Sequence, residues 1–199
     1  MNESDTLLTQ RARDAILASI LDGALQAGDR LVVTSLADEL GMSRTPVRDA
    51  LKRLAVTRVV QSNDSSGFRV STLTLRDVRN LVELLRLLES HVAHEITHRS
   101  AGDRAAVAMA LELAGSAAGH HFHIALGQHA ENTYLREVIE ILNERLAPVR
   151  ARIAGPCDQG DDHAAIVDAV RAGDGATARV AVADHLDALR DAIYGEVTI

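Results

Sequence analysis

The sequence predicts a mainly α-helical protein of two domains: an N-terminal winged helix-turn-helix over residues 1–71 and an all-α bundle over 72–199. Three observations predict it. A short capped helix at 44–54 carries an apolar stripe on one side and basic residues on the other. Just after it, Val59-Val60 and Phe68-Arg69-Val70 flank a turn-rich tip and read as a β-hairpin. From Val78 onward, apolar residues recur every three or four positions, and no later stretch reads as a strand. Aromatic residues make up 2 % of the chain and Trp is absent, so both cores must be built from Ala, Leu, Val and Ile.

In the first domain, Leu8, Ala12, Ala15, Ile16, Ile20 and Leu21 keep helical period and predict a helix from about Thr6 to Asp22. Residues 27–31 turn the chain into a short extended segment. Leu36-Ala37-Asp38-Glu39-Leu40 is a second short helix, and Gly41 is the turn behind it. In the third helix, Val47, Ala50, Leu51 and Leu54 form the apolar stripe, while Arg44, Arg48 and Lys52 recur every four residues on the opposite side. Pro46 sits in the first turn, where a helix tolerates it, with Ser43 or Thr45 available as the cap. Residues 44–58 hold five basic side chains and one acidic one, Asp49, in a chain of net charge -7. A short helix with a cationic outer face fits a DNA major groove; a solvated arginine face is the other reading of the same charges.

Divided by domain, the charge is informative. Up to Ser71 there are nine basic and nine acidic residues; from Thr72 there are twelve against nineteen. Phosphate would repel the second domain, which confines DNA contact to the first. One cysteine, Cys157, cannot close an internal disulfide and suits a reducing cytoplasm. Neither an export signal nor a membrane span is read from the sequence, so the expected location is cytoplasmic.

The second domain begins after a short polar junction, Ser71-Thr72-Leu73-Thr74. Val78, Leu81, Leu85, Leu88, Val92 and Ile96 mark a long helix, and Val82, Leu84 and Leu87 widen its stripe to that of a helix buried on more than one side. Further stripes run over 135–149, 166–170 and 178–193, punctuated by Gly155-Pro156 and Gly173-Asp174-Gly175. His91, His94 and His98 share a helix side with only Glu95 as carboxylate and read as a solvated polar face. His123, His163 and His185 differ, each lying on an apolar stripe of a separate helix. Buried imidazoles need partners, so they are either satisfied core residues or ligands of a common ion. Arg86, set among leucines, either holds a ligand carboxylate or pairs with Glu83 or Glu89. Cys157 has no basic neighbour and receives no role. Neither a phosphate loop, a nucleophile elbow nor a zinc-protease motif is read.

The first third of the chain resembles the DNA-binding domain of the GntR family of bacterial transcription regulators. The residues that carry the resemblance are Leu36-Ala37, Gly41, the run Ser43-Arg44-Thr45-Pro46-Val47-Arg48 with Ala50-Leu51, and the wing glycine Gly67. Behind it, Arg86-Leu87-Leu88-Glu89, then Phe122-His123-Ile124-Ala125-Leu126 with Asn132, then His163-Ala164-Ala165-Ile166 through Asp174 and His185-Leu186, resemble the FCD effector domain. The resemblance implies a dimeric, ligand-responsive regulator, a repressor of a palindromic operator, and not an enzyme. Arg44 and Arg48 would carry the DNA contact, with Ser43 and Thr45 on phosphates and Gly67 letting the wing approach a groove. A small carboxylate effector would be held by Arg86 and Asn132, and a divalent ion, zinc or nickel, by His123, His163 and His185.

The chain departs from the family pattern at four places. Thr34 stands where the family has an Arg before the second helix, and Arg58 where it ends the third with Gly. Gly119 replaces the usual Asp ligand one turn before His123, and the segment 100–119 is short, which predicts a truncated helix. Three states follow for the histidines: a three-histidine metal site, a site completed by the effector, or a metal-free pocket. The rival functions are a metal-dependent enzyme tethered to DNA and an effector-free architectural binder.

Overall fold

A computed structural model describes residues 3–63, 67–117, 119–153 and 161–197. The hairpin tip at 64–66 and the loop residues Gly155, Pro156 and Cys157 lie outside the described residues. The chain forms two compact units, Met1–Leu73 with Glu144–Arg152, and Thr74–Asn143 with Ile153–Ile199.

The first unit contains α1 (Glu3–Leu21), β1 (Arg30–Leu31), α2 (Val33–Glu39), α3 (Arg44–Val56), β2 (Val60–Asn63) and β3 (Gly67–Val70). Its sheet has the order β1-β3-β2, antiparallel throughout, with Val60 opposite Val70 and Asn63 opposite Gly67. The core joins Ala12, Ile16 and Ile20 of α1 to Val47, Ala50, Leu51 and Leu54 of α3, all buried. Each large aliphatic side chain buried there contributes roughly 1.5–3 kcal/mol relative to exposure. The 3.6-residue stripe on α3 therefore fixes which of its faces is left for solvent.

α2 and α3 end in the same way with different residues. At the end of α2, Gly41 has φ 61, and the Met42 N–H donates to the Ala37 carbonyl. At the end of α3, Arg58 has φ 59, its N–H donates to Ala55 and the Val59 N–H to Leu54. Both are Schellman closures, in which a left-handed residue lets the next two N–H groups satisfy orphan carbonyls. Among the described residues Arg58 alone takes a positive φ without being glycine. Its Cβ costs about 1 kcal/mol there. Val59, which follows it, is buried in the core of the first unit.

The second unit opens with α4 (Leu75–Thr97), capped by a reciprocal pair: Thr74 Oγ1 accepts from the Asp77 N–H at 3.2 Å, and Asp77 Oδ2 accepts from the Thr74 N–H at 3.0 Å. Then come α5 (Ala101–Ala117), α6 (Gly119–Gln128), α7 (Thr133–Arg150), α8 (Asp161–Ala172) and α9 (Gly175–Val197). α4 packs along α9, and α5 packs on α6 and α8. One expectation is corrected here. Leu84 and Leu87 do not join the buried face of α4; they are 48 % and 64 % exposed, turned away from the arc held by Leu81, Leu85 and Val92. The segment after Ser100 forms a 17-residue helix. Its Ala-rich sequence buries Val107, Ala108 and Leu111 while Met109 and Leu113 face solvent, so its period is weak.

α7 belongs to both units. Its first part, up to Asn143, packs in the second, whereas Glu144 pairs with Arg13 of α1 and Ala147 lies in the first unit's core. Glu144 holds the half-buried Arg13 guanidinium above its ordinary pKa, against the opposing effect of burial. This segment departs from the division expected at residue 71. Pro148 lies inside the same helix.

Candidate functional site

Two groups of residues carry candidate chemistry, one in each unit. In the first, Ser43 is the residue before α3 and has the extended backbone of an N-cap, yet its hydroxyl makes no capping bond. Ser43, Arg44, Thr45 and Arg48 are all exposed. Asp49, the acidic residue of the helix, is paired with Lys52 at 3.0 Å. Among the described residues neither Arg44 nor Arg48 forms an ion pair, so both guanidinium groups are available to an anionic partner. Gly67 opens β3 with φ 78, and a Cβ added there meets nothing within 4 Å. Open space around that glycine is what close approach of a groove requires. Thr34 lies in the first turn of α2, exposed.

In the second unit, α6, α8 and α9 each turn one imidazole inward: His123, His163 and His185 are all buried. One nitrogen from each lies within 4.8 Å of the others. His123 Nε2 is 3.0 Å from His185 Nε2, and its Nδ1 is 2.7 Å from Oε2 of Glu89 on α4. Glu89 is fully buried, and its other oxygen accepts from Asn143 Nδ2 at 3.0 Å. Glu89 and His123 therefore share a hydrogen bond through Nδ1, and His123 Nε2 faces the ring of His185. His163 stacks on Phe122, ring centroids 3.9 Å apart. It also lines a cavity of about 170 Å³ with Leu111, Gly115, Val167, Glu112 and Asp168.

Glu89 and Asn143 are the residues that sequence reasoning missed. The sequence offers Glu89 as a partner for Arg86, three residues away; its partner in the structure is His123, 34 residues on. Its position gave a usable signal, since it falls between Leu85 and Val92 on the buried arc of α4. The two expected effector residues lie elsewhere. Arg86 is half exposed and faces Asp187 of α9 at 3.6 Å, in a surface cleft with Arg79, Glu83 and Arg190. Asn132 caps α7, its Oδ1 accepting from the Tyr134 and Leu135 N–H groups at 3.0 and 3.3 Å. Neither stands at the histidines: one is held by a carboxylate and the other by a helix end.

Residues 8–70 match the family described as bacterial regulatory proteins, gntR family, and residues 46–188 match the FCD domain. The chain belongs to the GntR family. It is a transcription regulator with an FCD domain, and its relatives are regulators and not enzymes. A Paenarthrobacter nicotinovorans protein named "Probable D-xylose utilization operon transcriptional repressor" is 29 % identical over 92 % of this chain and 87 % of its own. The LutR regulator of Bacillus subtilis (strain 168) is 28 % identical over 88 % of this chain and 96 % of its own. Escherichia coli McbR/YncC shares the fold, with a TM-score of 0.78 at 22 % identity over 96 % of this chain and 98 % of that one. A GntR regulator from Rhodococcus sp. RHA1 superposes with a TM-score of 0.75 at 25 % identity, over 94 % and 97 % of the two chains. Among the described residues no helix is long and apolar enough to cross a membrane.

Proposed function

We propose that this GntR regulator is a repressor that grips a palindromic operator as a homodimer and is controlled by a metal-centred effector site in its FCD domain. The DNA-binding part is residues 1–71, with Arg44 and Arg48 in the major groove, Ser43 and Thr45 on phosphates, and the wing at Gly67 alongside. One short helix reads few base pairs, and two-fold pairing doubles the contact. Leu84 and Leu87 on α4 and Val180 on α9 leave apolar side chains in solvent, surface that a second copy would cover.

The observation that carries the effector reading is the convergence of His123, His163 and His185. Their donor set suits zinc or nickel. Two nitrogens bound to one tetrahedral zinc stand about 3.3 Å apart, given bonds of about 2.0–2.1 Å; the His123–His185 separation of 3.0 Å is within a small ring adjustment of that. When bound, the ion would supply a Lewis-acidic point with open positions for water or an effector carboxylate. Glu89 orients His123 through Nδ1 and supplies a negative charge in a site where Gly119 provides none. A carboxylate would then be held by the ion, since Arg86 lies in a surface cleft beside Asp187 and Asn132 caps α7.

Elemental analysis of protein purified without chelator or metal column tests this reading, with operator affinity measured before and after metal removal. One equivalent of zinc or nickel per chain more in wild type than in His123→Ala is expected. Equal metal content in wild type and His123→Ala after loading with zinc or nickel, with or without candidate carboxylates, would exclude it.

A further inference from the structure

On the outer side of α4, His94, Glu95 and His98 bring one ligand-capable atom each to within 4.8 Å of the others. His94 and His98 are four residues apart, and Glu95 and His98 three, so one turn presents all three side chains together. The two rings meet edge to face with centroids 4.6 Å apart. His98 Nδ1 lies 3.1 Å from the His94 carbonyl oxygen. A neutral ring donates Nδ1–H there, which leaves the Nε2 lone pair for a ligand. His94 is held from behind: among the described residues its buried Nδ1 has no hydrogen-bond partner, and it lies against the first residue of α9. A Cβ at Gly175 would come within 2.3 Å of that nitrogen, so the ring fits only because residue 175 has no side chain. His94 is thus a fixed ligand, while Glu95 and His98 are exposed and adaptable.

We propose that His94, Glu95 and His98 form a second divalent transition-metal site, separate from the buried histidines and open to solvent. Two imidazoles and one carboxylate suit zinc, nickel or copper and disfavour magnesium or calcium, which take oxygen ligands. The remaining positions are filled by water or by a ligand presented from outside. Nothing in this assignment depends on metal at His123, because the two groups of ligands share no residue.

Zinc binding to the full chain, without a histidine tag, is measured by equilibrium dialysis for wild type, His98→Ala, Glu95→Gln and His91→Ala. His91 lines a cleft with Glu95, Glu131 and Asn132 but is not one of the three residues whose ligand atoms converge, and it serves as the control. The expected result is one zinc per chain fewer in H98A than in wild type, a zinc affinity at this site at least tenfold weaker in E95Q, and no change in H91A. The substituted residues are exposed, so far-ultraviolet circular dichroism should be unchanged in all three. Zinc should also protect His98 from diethyl pyrocarbonate in wild type. Equal stoichiometry and affinity in wild type and H98A would overturn the assignment, as would a loss in H91A that H98A does not show.

Discussion

The two units use polar residues in opposite ways. In the winged-helix unit the candidate DNA residues stand on an apolar base and face solvent: α3 buries Val47, Ala50, Leu51 and Leu54 so that Arg44 and Arg48 stay outside. In the FCD unit the candidate residues are themselves in the core, and Glu89, His123, His163 and His185 are buried where leucine would ordinarily serve. A surface site can be changed with little consequence for the fold. A core site cannot, because each of its polar groups is a structural member as well as a chemical one.

Removing Glu89 is the harshest test of that contrast. Glu89→Ala strips a buried carboxylate from His123 and Asn143 and leaves their buried polar groups without a partner, at a cost of about 1–3 kcal/mol. Urea denaturation should show the FCD unit destabilised by that amount. A change under 1 kcal/mol would mean that the network is structurally idle. At the surface the expectation reverses. Arg48→Ala or Arg44→Ala should cost about 1–3 kcal/mol in operator affinity if the side chain reads a base, with thermal stability unchanged. For a phosphate contact the loss is uniform across sequences and the salt slope falls by about one unit. Fluorescence anisotropy at several fixed salt concentrations separates the two cases, and intact affinity in the double variant would remove α3 from the interface.

The smallest effect sharpens the comparison within one unit. Arg58→Gly relieves the left-handed strain at the end of α3 and should stabilise the winged helix by up to about 1 kcal/mol. If Arg58 also reaches a phosphate, the same variant binds DNA more weakly, so stability and affinity would move in opposite directions. A parallel gain in both would assign Arg58 no contact with DNA.

The winged helix was legible because its signals are local. A 3.6-residue stripe, two short apolar runs and a glycine at 41 depend on neighbours a few positions away, and they correspond to α3, the hairpin and the α2 closure. The histidines were legible for the same reason, since each stands on its own helix's apolar stripe. Their second shell was not. Glu89 meets His123 across 34 positions and Asn143 across 54, and no periodicity carries that information. α5 was illegible for a different reason: alanine fits either face of a helix, so a segment rich in it shows little period. The surroundings of Arg86 were not legible, because leucines flank it in sequence, yet two of them, Leu84 and Leu87, are themselves in solvent.

Pro148 gives α7 a mechanical character that the other long helices lack. Proline has no N–H, so the rung that would close on the carbonyl four residues earlier is missing, and that carbonyl belongs to Glu144. Glu144 is also where the chain passes from the FCD unit into the winged-helix unit. The ladder is therefore thinnest at the crossing, just beyond the Asn143 that holds Glu89. A helix that skips a rung bends more readily at that rung than where its ladder is continuous.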